Sequence, residues 1–166
     1  MPRRRSRHRY TLTRPVKVAK YSNETFSFAR DLGFNGGQTS WVLVTQSSQV
    51  LGTRKCKNFT LTCTTSANFP FLFVLVFLPE GTNPSDLSVG TSIVGNFLVA
   101  SSLYEPSQNV ILQGIINGNQ SGATRFKTRL ARNLNSGDRI VLGIKPIIQY
   151  ADTVDVIGTI NYAISY

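Results

Sequence analysis

The chain has 166 residues, a formal net charge of +10 and a 41% hydrophobic fraction. That hydrophobic share is ordinary for a folded domain, and the length suits one domain plus a tail. The longest apolar run, Phe69 to Leu78, is about half the length needed to span a bilayer as a helix, so no membrane span is expected.

The charge is unevenly placed. Arg3, Arg4, Arg5, Arg7, Arg9, Arg14, Lys17 and Lys20 carry eight of the eighteen basic residues, and no acid lies among the first twenty. Those twenty residues hold +8. The remaining ten basic and eight acidic residues leave +2 on residues 21–166. A short basic arm on a nearly neutral body points to a polyanionic partner. Its Arg clusters and scarce apolar residues predict a segment that is disordered or extended until bound. No apolar stretch follows the charged start, so no secretory leader is expected.

Beyond the arm the pattern reads as strands and turns. Tyr21 to Arg30 alternates, the turn-rich Gly33 to Gln38 follows, and Trp41 to Val44 is a short apolar strand. Lys55 to Thr65 alternates again. In a straight strand Cys56, Asn58 and Thr60 share one face, while Lys57, Phe59, Leu61 and Cys63 take the other. The odd spacing thus places the two cysteines on opposite faces and argues against their pairing. Two small apolar residues, one or both buried, in a reducing compartment are expected.

Phe71 to Leu78 is apolar at every position, as in a strand covered on both faces. Glu80 to Pro84 is a strong turn signal, and Glu80 to Val94 is expected to be a large loop. A short helical piece is expected near Phe97 to Tyr104. Val110 to Ile116, Phe126 to Ala131, Arg139 to Ile148 and Val154 to Tyr166 complete eight strands. No long amphipathic helix and no internal repeat accompany them. Eight strands with variable loops predict an all-β, antiparallel sandwich or barrel, and eight is the number in a jelly roll. The domain division is arm 1–20 and body 21–166.

The residues give little chemistry for catalysis. His8, the sole histidine, lies in the arm and cannot orient a nucleophile in the core. Two cysteines and one histidine do not make a zinc set, and no phosphate-binding glycine loop is present. No enzyme activity, cofactor or metal is expected.

A second basic set lies in the body. Arg125, Lys127 and Arg129 are spaced by two and share a strand face, opposite Phe126, Thr128 and Leu130, with Arg132 just beyond. Arg54, Lys55 and Lys57 form a smaller group. Two readings stand side by side: a basic inner surface that continues the work of the arm, or an ordinary solvated strand face.

Three segments, Leu78-Pro79-Glu80-Gly81-Thr82, Leu103-Tyr104-Glu105-Pro106-Ser107-Gln108-Asn109-Val110-Ile111 and Thr128-Arg129-Leu130-Ala131-Arg132-Asn133-Leu134-Asn135-Ser136-Gly137-Asp138, together with the start Met1-Pro2-Arg3-Arg4-Arg5, resemble capsid proteins of small circular single-stranded DNA viruses. This is the circovirus-like group that encodes a rolling-circle replication initiator. In length the chain is nearer nanovirus capsid proteins. The resemblance implies one eight-stranded jelly roll, many copies in an icosahedral shell, and an arm turned inward onto single-stranded DNA. A virion location follows from that expectation. The basic arm by itself also fits a nuclear import signal or a solubilising tail, and import through the host nucleus is compatible with nucleic-acid binding. Two alternatives remain open from the residues: a capsid subunit of a small RNA or satellite virus, and a cellular nucleic-acid-binding module. Charge does not separate DNA from RNA.

Overall fold

A computed structural model of the chain describes residues 20–32, 40–45, 52–84, 93–94, 97–98, 109–118, 122–147 and 153–165. Among them the regular elements are all strands: β1 (Ser22–Leu32), β2 (Ser40–Thr45), β3 (Arg54–Thr65), β4 (Phe71–Leu78), β5 (Ile93–Val94), β6 (Phe97–Leu98), β7 (Val110–Ile116), β8 (Thr124–Lys127), β9 (Ala131–Leu134), β10 (Arg139–Pro146) and β11 (Val154–Ser165). The expected helical piece is corrected at its start. Phe97–Leu98 is a strand paired antiparallel with Ile93–Val94, and positions 99–104 lie outside the described residues.

Two antiparallel sheets face each other. One runs β1-β11-β3-β8, with β9 also paired to β3; the other runs β2-β10-β4-β7. Alternation along each strand sends one set of side chains into the space between them. Phe28, Phe59, Leu61, Val156 and Ile160 come from the first sheet, and Val42, Phe71, Phe73, Leu75, Ile140 and Leu142 from the second. Rings close the layer where the chain crosses from β7 to β8. Phe73 and Phe126 lie 4.5 Å apart between centroids. Gly114 makes this possible, because a Cβ there would stand 2.8 Å from Phe73 Cε1 and 2.9 Å from Phe126 Cε1. The uniformly apolar β4 is buried on both faces, as its sequence predicts: Leu72, Val74, Val76 and Leu78 form a second buried cluster with Val141 on the far side of the sheet.

The β3 strand is not straight. Asn58 has a left-handed φ of 58°. Opposite it, the pairing with β11 jumps from Thr60↔Asn161 to Lys57↔Ala163. Three steps on β3 thus match two on β11, which is a β-bulge. The extra residue corrects the predicted faces. Cys56 joins Phe59, Leu61 and Cys63 in the core, and both thiols are free. Lys57 and Asn58 turn to the other side with Thr60. Before the bulge, Arg54 also points inward and is only 8% exposed, so it does not group with Lys55 and Lys57.

The bulge explains a second departure. The predicted strand from Phe126 to Ala131 is two short strands, β8 pairing Thr60–Cys63 and β9 pairing Arg54–Lys57. The break at residues 128–130 lies beside the bulge, bridged by Thr128 N–H donating to Phe59 O.

The segments around Glu80 and Asp138 meet in space. The Asp138 carboxylate, buried at the turn before β10, accepts from Glu80 N–H at 3.1 Å and from Asn135 N–H at 2.8 Å. Gly137, at φ 82°, lies against the Glu80 side chain. Arg139 donates to Thr82 O. This brace ties the end of β4 to the turn between β9 and β10. Leu103 to Gln108 lie outside the described residues.

Candidate nucleic-acid interface

The outward face of the five-stranded sheet follows from register. Reading across β1, β11, β3 and β8, its rows are Ala29, Ile157, Thr64; then Ser27, Thr159, Thr62, Arg125; then Thr25, Asn161, Thr60, Lys127. The next row is Asn23, Ala163, Lys57, with Ala131 of β9. Lys55 and Asn133 follow. Rows on one strand are two residues, or about 7 Å, apart.

This face is rich in hydroxyls and amides. Thr25 Oγ1 donates to Asn161 Oδ1 at 2.6 Å across β1 and β11. Its cations gather on the β3–β8 side: Lys55, Lys57, Arg125 and Lys127. Arg129 is exposed in the break after β8. The predicted trio is therefore only partly confirmed as one strand face. Arg125 and Lys127 share it, while Arg129 reaches the same side from the connection. Arg132 does not belong. Its position pairs with the inward Cys56, and its guanidinium donates to Ala131 O and to Val110 O of the opposite sheet.

The break and the bulge together form an open concavity of about 570 Å³, lined by Asn58, Thr60, Lys127, Thr128 and Arg129. Among the described residues no carboxylate pairs with Arg125, Lys127 or Arg129. The nearest acids on this face, Asp31 and Asp155, stand opposite each other at its far end. A hydrogen bond that protonated Asp155 donates to Asp31, some desolvation and the negative charge of Asp31 raise the Asp155 pKa. Asp155 is eight residues along β11 from the row of Lys57, roughly 26 Å at strand rise. The face is thus basic at one end and acidic at the other.

The root of the arm lies at the basic end. Tyr21, just before β1, packs its ring 3.7 Å beneath Lys57 Nζ, a cation–π contact. The intervening strand presents only Ala163 and Ser165 there. Lys20 is exposed immediately before Tyr21. Arg3, Arg4, Arg5, Arg7, Arg9, Arg14 and Lys17 lie outside the described residues.

Other chemistry is sparse. Burial pushes the Cys56 and Cys63 thiols up to about 11, with Arg54 partly opposing this at Cys56, so both stay protonated and unreactive near neutral pH. Among the described residues no three His, Cys, Asp or Glu side chains gather as a metal would require. Among them, too, no helix is long and apolar enough to cross a membrane.

The sequence missed the Asn58 concavity and the Tyr21–Lys57 contact. An Asn between Lys57 and Phe59 is a weak bulge signal, and nothing in the spacing of Tyr21 and Lys57 reveals that they meet. Neither a protein-family model nor a curated protein matches this sequence.

Proposed function

We propose that the protein is a structural capsid subunit that assembles with copies of itself into an icosahedral shell and packages single-stranded DNA through its basic arm. The observation that carries this reading is the placement of the arm root. It leaves the body beside Lys57, at the basic end of one sheet face, so arm and face address the same polyanion from the same side.

The strand order supports it. The larger sheets run β1-β11-β3-β8, with β9 beside β3, and β2-β10-β4-β7. Counting β8 and β9 as one interrupted strand, we read this order as an eight-stranded jelly roll. That fold is common in viral shells. The small net charge of the body also favours self-association, since copies meet without accumulating repulsion. Arg and Lys bind phosphate without reading sequence, which suits a packaging role.

The test is expression of the full chain followed by electron microscopy and sequencing of nuclease-protected nucleic acid. Closed particles holding single-stranded DNA are expected. A protein that remains monomeric across salt and pH, with or without added nucleic acid, refutes the reading. Protected RNA in place of DNA would move it to an RNA or satellite virus.

A further inference from the structure

Beside the basic concavity, the same sheet face holds a second depression of about 540 Å³. Its outward side chains on β1, β11 and β3 are Ser27, Ala29, Thr62, Thr64, Ile157 and Thr159, with Ala123 at its edge. Five are small or short. The sixth, Ile157, is 55% exposed, a large apolar side chain among short ones. Ala29, Ile157 and Thr64 form one row, and Ser27, Thr159 and Thr62 the next, which ends at Arg125. Lys127 follows one row further and opens onto the Asn58 concavity.

We infer that this face is a binding site for a short stretch of single-stranded nucleic acid, with one base laid against Ile157 and its flanking phosphates held at Arg125 and in the Lys127–Arg129 concavity. The inference rests on the packaging reading but assigns a site in the body rather than in the arm. Arg125 is one row and two strands from Ile157, roughly 12 Å between backbones from the usual strand spacings. An extended guanidinium closes about half of that distance, leaving the span between a base and its own phosphate. The surrounding Thr and Ser hydroxyls rotate to donate or accept, so any base is accommodated. A base in a duplex has both faces stacked on neighbours and cannot lie on Ile157. A duplex can use only the cations.

The site is tested on the full chain by fluorescence anisotropy with a labelled 20-nucleotide single strand and with its duplex, over a salt series. Ile157→Thr keeps a β-branched side chain at an exposed position. It should weaken single-strand binding about fivefold, roughly the effect of one CH2 group no longer covered, and leave duplex binding unchanged. Arg125→Gln with Lys127→Gln should weaken both and reduce the single-strand salt slope by about 1.4, for two phosphates. Equal effects of Ile157→Thr on both nucleic acids, or none on either, overturn the base site. An unchanged salt slope in the double variant overturns the phosphate sites. Particle formation is scored in parallel. Its failure with these binding effects intact refutes the capsid reading and leaves this site standing.

Discussion

Asn58 holds a left-handed backbone in the middle of a twelve-residue strand. Asn tolerates that region, and a β-branched residue does not. Asn58→Val is therefore expected to cost about 1–3 kcal/mol in urea unfolding, while Asn58→Gly stays near wild type. A neutral Val variant would remove the strain argument for the bulge. The buried cysteines give a second expectation. With thiols near 11, neither should react with a disulfide reagent at pH 8 unless the protein unfolds, and rapid native-state labelling of both would contradict their burial. Asp155 gives a third. Its carboxyl pKa is raised by Asp31, so the folded state holds a proton that the unfolded chain releases at lower pH. This contribution is present below the ordinary carboxylate range and is lost as pH rises through the raised value. Asp155→Asn should flatten that part of a stability–pH curve, and an unchanged curve would show that the pair is not coupled. Residues such as Asp31 and Asp155 illustrate what a linear reading cannot give. They lie 124 positions apart, and only strand register brings them face to face.

At the scale of elements, the strands were largely legible because alternation and β-branched runs act over a few residues. The uniformly apolar β4 was read as covered on both faces, and it is. What was not legible came from one inserted residue. A bulge reverses the face of every position before it, so Cys56 moved into the core and Lys57 out of it. The same irregularity split the neighbouring strand into β8 and β9. The closure between β7 and β8 shows the other long-range dependence, since Gly114 matters only because Phe73 and Phe126 converge on it. Gly114→Ala should force one ring aside and cost about 1–3 kcal/mol, as overpacking does. A variant as stable as wild type in thermal unfolding would mean that the rings move freely there.

For the whole molecule, the separation of charge carries the account. The +8 arm and +2 body were evident from composition, but the uneven distribution within the body was not. Its cations line one end of a sheet face whose far end is acidic, and the arm starts at the cationic end. Single-stranded nucleic acid engaging all eight arm charges should bind with a salt slope of about −5 to −6 in log K against log[salt]. The body then contributes a smaller, separable share. The most direct measurement is the nucleic-acid content of purified particles formed by the full chain and by residues 21–166, from absorbance ratios and nuclease protection. The account predicts closed particles from both chains, filled with single-stranded nucleic acid in the first and largely empty in the second. Equal filling of the two, or the absence of particles from both, would contradict it.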